Sequence, residues 1–376
     1  MHREQILLPG GVTVRDTNGD RYVIEGLLGK GEAGAVYLVS DRRARQNVLA
    51  LKEVINPNQR DRERFAFEAE ILRRVNHRAL PRVYRVFERE KLKRVYMLME
   101  YVKGRNLEDL RVEQPERCFS LPLILALLSP IIDALHYLHS QDPPILHRDI
   151  KPANIVVPLG ADEAMLVDFG SAKEYAPDGT ATVMSRRSPG YAAPEQYVSG
   201  TNTRTDIYGL GATIYMLLTG TMPADALYRV ARRSSTGVDP LKPANLLRRE
   251  VPAAVAEALQ RAMSLSSADR FETVEEFWQV LQAHTTDKQV EIPRVTSVVA
   301  YQPLPLRASQ RTMGAFYLKG QDILRSGKRK RVIFVYATLL VTFALGTALL
   351  SHLFGPTALL LLVVLLVILA LIPLLR

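Results

Sequence analysis

The chain has 376 residues, of which 47% are hydrophobic and 23% are charged. This composition excludes a disordered chain, which would combine high charge with few apolar residues, and the length predicts two or three folded units at roughly 100–200 residues per domain. The single cysteine, Cys118, excludes an intramolecular disulfide and a cysteine-based zinc cluster, and it favours a reducing compartment.

The net charge of +10 is concentrated in one segment near the C-terminus. Residues 287–331 carry ten Lys or Arg against three Asp or Glu, whereas residues 1–286 are close to neutral. A nucleic-acid-binding domain would spread its basic residues over the folded part of the chain. We therefore predict no nucleic-acid partner.

Strand patterns dominate the first hundred residues and helical patterns the following ones. Strands are predicted at 22–28, 35–40, 48–54, 83–89 and 95–99, with one helix at 59–75 between them. Later helices are predicted, for example, at 121–139, 206–219 and 253–263. Strands followed by helices predict an α+β fold of two unlike lobes, preceded by a lead-in over residues 1–21.

A glycine-rich motif, GxGxxG, lies at residues 29–34 between the first two predicted strands. A dinucleotide-binding turn would lead from a strand into a helix, whereas this motif leads into a strand. Such a strand–turn–strand hairpin can fold its backbone N–H groups over a polyphosphate. Val36, just after the turn, would then pack on a flat base.

A lysine and a glutamate in the next two elements form a second candidate pair. Lys52 lies on a predicted strand, and Glu68 follows sixteen residues later in the predicted helix. A lysine that holds phosphates needs an acidic partner to fix its flexible stem. Glu70 is the competing partner, but helical spacing places Glu68 beside the apolar face and Glu70 more nearly away from it.

The C-terminal ninety residues predict a linker and a membrane anchor. Residues 285–331 are basic and contain scattered prolines, and they precede apolar stretches at 332–354 and 357–375. As helices, these stretches span about 34 and 28 Å, near the ~30 Å hydrocarbon thickness. Gly355-Pro356 separates them, which predicts a two-helix transmembrane hairpin. The alternative is a pair of buried core helices, but no further domain remains to bury them.

Charge predicts the orientation of this hairpin. The basic run 328–331 abuts the first apolar stretch, and such runs are retained on the cytoplasmic side and attract anionic headgroups. Residues 1–10 show no signal peptide. We therefore predict a two-pass protein of the cell membrane, with membrane lipids as partners and the N-terminal domain in the cytoplasm. The alternative is that the basic run is a solvated linker or a targeting signal.

Three further motifs occur in a fixed order: HRDIKPAN at 147–154, DFG at 168–170 and APE at 193–195. Together with the glycine motif, this set resembles the protein kinase family over about residues 22–281. The strings SPGYAAPEQY, TDIYGLGATIYMLLTG and ADRFETVEEF resemble bacterial membrane-anchored serine/threonine kinases. The resemblance implies a kinase domain at 22–284, with an N-lobe at about 22–100 and a C-lobe at about 103–284.

The resemblance implies transfer of the ATP γ-phosphoryl group to Ser or Thr hydroxyls of protein substrates. Asp149 would accept or orient the hydroxyl proton, and Lys151 would neutralise the γ-phosphate. Asn154 and Asp168 would bind Mg²⁺, with Mn²⁺ as an alternative cation. Together with Lys52, the implied ATP-binding residues are Leu28, Gly29, Lys30, Gly31, Gly34, Val36, Ala50, Met99, Glu100, Val102 and Val156.

Other residues are assigned structural or regulatory roles by the same resemblance. Asp206 would anchor a helix start, and Glu195 would pair with Arg270 inside the C-lobe. Within the segment 171–188, Thr180 and Thr182 are the candidate phosphorylation sites.

Two other residues indicate which hydroxyl groups of this segment could carry a phosphate. Arg148 would pair with a phosphate added there, whereas Ser188 is expected to hydrogen-bond with Asp149 and Lys151. Another copy of the chain is a candidate partner for autophosphorylation.

Two other functions share these motifs. One is a membrane-bound pseudokinase that acts as a scaffold, and the other is a kinase-like phosphotransferase of small molecules. The motif residues argue against the first, and the approach to the APE motif, which resembles a peptide-docking platform, argues against the second. Ala33 replaces the aromatic residue that related loops often carry, so a less firmly closing loop is expected.

Overall fold

The structure, a computed structural model, describes residues 7–31, 34–43, 48–160, 163–176, 188–198 and 200–284. The chain divides into two units, Met1–Gln302 and Pro303–Arg376, and every described residue belongs to the first. The predicted linker at 285–331 and both predicted membrane spans lie outside the described residues.

The first lobe is built on an antiparallel sheet of six strands in the order β1-β2-β3-β4-β6-β5. Its strands are β1 (Thr13–Arg15), β2 (Arg21–Lys30), β3 (Gly34–Asp41), β4 (Val48–Ile55), β5 (Val83–Arg89) and β6 (Arg94–Glu100). Five of these strands correspond to the predicted ones. The sixth, β1, lies in the stretch that the sequence predicts as a lead-in, and it pairs with β2.

Alternation along β4 separates two faces of this sheet. Leu51 and Glu53 point to the outer face, where an apolar cluster buries Leu51 completely. Ala50 and Lys52 point to the opposite face, and Lys52 lies opposite Val36 of β3 in the register. The inner face of the sheet is therefore the one that carries the candidate site.

A single long helix of the first lobe, α1 (Gln59–Arg74), packs on this inner side. Asn58 and Asp61 form a capping box at its start, which satisfies backbone N–H groups of the first turn. Phe65, Glu68 and Leu72 are buried at helical spacing. The helix thus presents a carboxylate to the interior together with its apolar face.

The second lobe is mainly helical. Its helices are α2 (Leu107–Val112), α3 (Leu121–His139), α4 (Thr203–Thr219), α5 (Ala226–Thr236), α6 (Ala244–Leu247), α7 (Ala253–Ala262) and α8 (Val274–Ala283). Helix α4 begins three residues before the predicted start, because Asn202 provides its N-cap. Among the described residues, α3 has the length and apolarity of a membrane span, but 56% of it is buried in this lobe, so packing in the core accounts for its composition.

Short strands hold the loops between the helices. They are β7 (Gly104–Asn106), β8 (Ile145–Leu146), β9 (Ile155–Pro158), β10 (Met165–Leu166) and β11 (Lys173–Glu174). Strand β9 pairs with β7 and β10, and β8 pairs with β11. The HRDIKPAN and DFG motifs occupy the connections of these two small sheets. The predicted α+β fold with a β-rich and a helical lobe is confirmed.

Candidate active site

Three elements bring their charged side chains together at the inner face of the sheet. Lys52 Nζ of β4 lies 2.6 Å from Glu68 Oε1 of α1 and 3.0 Å from Asp168 Oδ1, which follows β10. Glu70, the competing partner in the sequence, is exposed. The contact with Lys52 is therefore made by Glu68, which is buried among the apolar residues of α1.

The charged groups of this cluster stabilise one another in their ionised forms. The Lys52 ammonium holds the pKa of Asp168 well below its ordinary value, against the opposing effect of partial desolvation in the cleft. Burial alone would lower the pKa of Lys52, but the carboxylates of Asp168 and Glu68 raise it above its ordinary value. Lys52 and Asp168 are therefore both ionised at neutral pH, and Asp168, with a side chain 51% exposed, is the one that faces open space.

Backbone geometry at the DFG motif supports this arrangement. Asp168 has a φ of 65°, a left-handed conformation that is uncommon for a residue other than glycine. A Cβ atom at Gly170 would lie 3.3 Å from both Asp168 Oδ1 and Lys52 Nζ. Glycine at 170 therefore leaves room for the ion cluster, and the strained Asp168 backbone directs its carboxylate toward Lys52.

A second cluster surrounds Asp149. Its Oδ1 accepts a hydrogen bond from Ser188 Oγ at 2.7 Å, and its Oδ2 accepts from Lys151 Nζ at 2.8 Å and from Asn154 Nδ2 at 3.0 Å. Lys151 Nζ also donates to Ser188 Oγ at 2.8 Å. The lysine charge contributes to the lowered pKa of Asp168, so the two clusters act on each other electrostatically.

Asp206 fixes the loop that carries Asp149. Its two carboxylate oxygens accept from the backbone N–H of Arg148 at 2.6 Å and of His147 at 2.9 Å, and His139 Nε2 lies 2.9 Å away. Burial opposes ionisation of Asp206, but the hydrogen bond from His139 and the nearby donors keep its pKa below the ordinary value. Arg148 is held here with a φ of 63°. Asp206 thus stabilises a strained backbone next to Asp149 from the start of α4.

Glu195 and Arg270 form a buried bidentate ion pair. The Arg270 nitrogens Nη1 and Nη2 lie 2.6 and 2.9 Å from the two carboxylate oxygens of Glu195, and Thr205 Oγ1 adds a hydrogen bond of 2.9 Å. The side chain of Arg270 is fully buried. The pair connects the turn at Pro194–Tyr197 to the loop that precedes α8.

The residues assigned to ATP lie on β2, β3, β4 and β6 of the large sheet, in the loops that follow β2 and β6, and on β9 of the helical lobe. A Cβ atom at Gly34 would lie 1.7 Å from Glu53 O, so the close approach of β3 to β4 requires glycine there. Glu100 N–H donates to Arg82 O at 2.8 Å, which fixes the start of the connection. Ala50 is buried, Lys30 and Gly31 are exposed, and the half-buried residues are Leu28, Gly29, Val36, Met99, Val102 and Val156.

The predicted phosphorylation sites Thr180 and Thr182 lie outside the described residues, but the predicted phosphate-binding arginine is described. Arg148 Nε donates to Ser171 O at 2.7 Å. Burial lowers the pKa of Arg148 to about 10, so it remains a cation at neutral pH. This buried positive charge lies beside the start of the segment that carries both threonines.

Sequence reasoning did not identify two residues that hold the site. Gln196 Nε2 donates to Arg148 O at 2.8 Å, and its Oε1 accepts from Ala193 N at 2.8 Å. His139 contacts Asp206 from α3. Both depend on partners more than forty residues away, and the sequence carries no local signal for them.

The donor set fits a magnesium ion better than a histidine- or cysteine-bound metal. Among the residues described here, no group of three or more His, Cys, Asp or Glu side chains could hold a metal ion. Mg²⁺ is bound by one or two carboxylates, water and phosphates, and needs no such group. Asp168 is ionised and open to the cleft, and the amide nitrogen of Asn154 donates to Asp149, which leaves its amide oxygen for a cation.

The protein has a β-rich lobe, a helical lobe and a charged cluster between the two, which is the architecture of a protein phosphotransferase. Comparison with known proteins leads to the same class. The model of the family described as protein kinase domain matches residues 22–263. Serine/threonine-protein kinase B of Synechocystis sp. is 30% identical over 283 aligned positions, which cover 70% of this chain and 47% of that protein. Serine/threonine-protein kinase PknD of Chlamydia trachomatis is 29% identical over 302 positions, covering 70% of this chain and 31% of that protein.

A solved structure extends the similarity to the fold. The kinase domain of Mycobacterium tuberculosis PknI is 26% identical, with a TM-score of 0.56, and the match covers 73% of this chain and 99% of that domain. The chain belongs to the protein kinase family and is of the bacterial serine/threonine type. It spans about half or less of the length of the curated relatives named above.

Proposed function

We propose that this chain transfers the γ-phosphoryl group of Mg-ATP to Ser or Thr hydroxyls of proteins, from the cytoplasmic face of a membrane. The observation that carries the proposal is the pair of clusters around Lys52 and Asp149. They combine an ionised carboxylate open to the cleft, a lysine fixed by Glu68 and a carboxylate that accepts a hydrogen bond from a hydroxyl group. Phosphoryl transfer needs little beyond such positioning and charge neutralisation.

Asp149 is the group that we assign to the substrate hydroxyl. Its Oδ1 accepts a hydrogen bond from Ser188 Oγ–H at 2.7 Å, which supports its ability to orient an alcohol. A substrate hydroxyl donating to the same carboxylate directs its oxygen lone pair at the γ-phosphorus. As the new O–P bond forms and the bond to ADP breaks, the hydroxyl proton passes to Asp149. Lys151, 2.8 Å from Asp149, lies where it can stabilise charge on the transferred group.

Lys52, Asp168 and Asn154 are assigned to the nucleotide and its cation. Mg²⁺, when bound by Asp168 and Asn154, supplies positive charge that stabilises the phosphate oxygens. Lys52 is the residue for the α- and β-phosphates, and Glu68 fixes its position from α1. Half-buried apolar residues such as Val36 and Val156 offer two sides to a planar base.

The alternative functions are less well supported. A pseudokinase scaffold has no need for the complete set of charged contacts, in which Lys52 pairs with Glu68 and Asp168, and Lys151 pairs with Asp149. A small-molecule phosphotransferase would not need the ordered turn after Ser188. Gly190 has a φ of 84° and its Cα lies so close to Met222 that a Cβ would contact the sulfur at 2.7 Å. This turn follows Ser188, which donates to Asp149, so it supports docking of an extended peptide beside that carboxylate.

Phosphorylation of the segment after DFG is the proposed activating step. The buried Arg148 cation near Ser171 favours binding of a phosphate added at Thr180 or Thr182. Another copy of the chain is the proposed donor of that phosphate. Copies confined to one membrane meet at raised effective concentration, which favours this reaction.

Membrane attachment rests on the C-terminal sequence. The apolar stretches 332–354 and 357–375 and the basic run 328–331 support a two-pass anchor with the kinase domain in the cytoplasm.

A transfer assay tests the function directly. The purified full chain with Mg-ATP should phosphorylate Ser or Thr in a library of protein-derived peptides. Lys52→Ala and Asp168→Asn should reduce this transfer to background, whereas Asp133→Asn, an exposed carboxylate of α3, should leave it unchanged. Transfer to small-molecule alcohols without transfer to peptides would contradict the proposal.

A further inference from the structure

The helical lobe contains a cavity of about 540 Å³ whose lining includes none of the residues assigned to phosphoryl transfer. This volume lies in the range of roughly 300–1,000 Å³ that is typical of ligand pockets. Phe119, Leu218 and Val251 provide apolar parts of its lining and are themselves buried in the core. The floor of the cavity is therefore fixed by the packing of the lobe.

The wall formed by the turn before α3 is held rigidly. Phe119 N–H donates to Leu217 O of α4 at 2.7 Å, and Arg111 of α2 donates to Arg117 O at 2.9 Å. Gly220 approaches the same turn so closely that a Cβ would lie 3.1 Å from Arg117 O. The cavity is thus preformed, because its wall is tied to two helices.

The rim of the cavity is charged with both signs. Arg248 lies 2.6 Å from Glu116 and 3.4 Å from Glu250, and the two carboxylates are 70% and 76% exposed. Cys118 lines the cavity beside Arg248 and is the single cysteine of the chain. An occupant with apolar side chains and charges of both signs would match this surface.

The chain itself supplies such an occupant at the edge of the cavity. His284, the last described residue, is part of the lining, and the chain continues from it into residues 285–302. Val290 and Ile292 are spaced so that both project from one face of an extended segment. Val290 follows His284 by six positions, an interval that spans up to about 20 Å, enough to cross the cavity.

Charge and tethering both favour this segment over a separate molecule. Residues 285–302 carry Asp287, Lys288, Glu291 and Arg294, which provide both signs for the mixed rim. A segment joined directly to the cavity wall is present at an effective concentration on the order of millimolar, with which any free partner must compete.

We propose that residues 285–302 dock into this cavity, with Val290 and Ile292 as the apolar anchors. Docking would fix the direction in which the chain leaves the helical lobe. The proposal does not depend on phosphoryl transfer.

Cys118 provides an internal probe for this docking. In the full chain in lipid nanodiscs, a thiol reagent should label Cys118 about ten-fold more slowly than in a Val290→Asp/Ile292→Asp variant, because a docked segment must open before the thiol reacts. Leu304→Asp/Leu306→Asp is the matched control, since it places the same charges beyond Gln302, and it should label as slowly as the wild type.

The alternative occupants give distinct results. Equal labelling rates in the wild type and the Val290/Ile292 variant would overturn the proposal. Protection that depends on protein concentration would assign the cavity to a second copy, and protection that depends on lipid composition would assign it to a headgroup; either result overturns it.

A crosslink tests the proximity without relying on an altered apolar surface. Under mild copper-phenanthroline oxidation, Val290→Cys should form an intrachain disulfide with Cys118, because docking brings the two thiols together. Leu304→Cys should not. Equal crosslinking of the two variants would contradict the assignment of Val290 as an anchor.

Discussion

At the scale of single residues, the choice between Glu68 and Glu70 shows how burial selects a functional group. Both lie on α1, two positions apart, and both are carboxylates. Glu68 is 4% exposed and contacts Lys52, whereas Glu70 points to solvent. A buried carboxylate keeps its partner in one geometry, because an unpaired charge there would be costly.

The two glutamates therefore form a matched pair for mutagenesis. We expect Glu68→Gln to lower kcat about 100-fold, since the amide no longer fixes the Lys52 ammonium for the phosphates. Glu70→Gln should stay within about two-fold of the wild type, the small effect usual for a change at an exposed site. Steady-state kinetics of both variants measures the difference, and equal losses would contradict the assigned role of Glu68.

The pH dependence of stability tests the electrostatics of the same cluster. The depressed pKa of Asp168 contributes stability that is present above the unfolded carboxyl pKa of about 3.9 and is lost as the pH falls through the folded value. Lys52→Met removes the largest cause of the depression. Its destabilising effect should therefore be greatest at neutral pH and shrink in acid, as measured by the free energy of unfolding between pH 3 and 7. A pH-independent effect would contradict the coupling.

At the scale of elements, the Glu195–Arg270 pair ties two segments of the helical lobe together. The two residues are seventy-five positions apart and share two hydrogen bonds in the interior. Arg270 also lies over the ring of Tyr208 in α4, with 5.0 Å from its guanidinium carbon to the ring centroid. The turn at Pro194–Tyr197 therefore depends on the segment before α8 for its position.

Removal of one partner should destabilise this lobe strongly. We expect Arg270→Ala to lower the free energy of unfolding by about 3–5 kcal/mol, because it leaves the Glu195 charge buried without its partner. Arg78→Ala is the control, since it breaks contacts with Asp133 and Glu163 that are exposed to solvent, and it should cost about 1 kcal/mol or less. Urea denaturation of the two variants distinguishes these values, and similar costs would contradict a structural role for the pair.

The long elements could be predicted from the sequence and the short ones could not. Strands β2 to β6 and helices α1 and α3 are long enough for their alternating or helical hydrophobic patterns to be recognised in the sequence. Strand β1 has three residues, too few for an alternation of apolar and polar side chains to be recognised. It forms by pairing with β2. Strands β8, β10 and β11 have two residues each and form only through pairing across the fold.

The site was predictable to the extent that its chemistry lies in local motifs. Lys52, Asp149 and Asp168 belong to short strings whose residue types indicate phosphoryl transfer. The hydrogen bonds that position them from Gln196 and His139 are made across forty or more residues, so only the folded chain shows them.

At the scale of the whole molecule, the described kinase domain precedes the basic and apolar C-terminal residues. The helical lobe ends with α8, which packs its apolar face, including Phe277 and Leu281, into the core. Far beyond this helix, the apolar stretches 332–354 and 357–375 have the length and hydropathy expected of membrane spans.

Removal of the residues after 284 should separate kinase activity from membrane attachment. A fragment of residues 1–284 is expected to be soluble and active, whereas the full chain should remain in the membrane fraction after alkaline carbonate extraction. Fractionation followed by an activity assay measures both. A fragment that aggregates, or a full chain that is released by carbonate, would contradict the division at residue 284.

The most direct measurement of the central claim is mass spectrometry of the purified full chain after incubation with Mg-ATP. The wild type should gain phosphate on Ser or Thr, including Thr180 or Thr182. Asp149→Asn, which cannot accept the hydroxyl proton but preserves the size of the side chain, should gain none while unfolding at a temperature close to that of the wild type. Phosphorylation of Asp149→Asn at a rate near that of the wild type would contradict the mechanism, and no phosphorylation of any protein hydroxyl by the wild type would contradict the function.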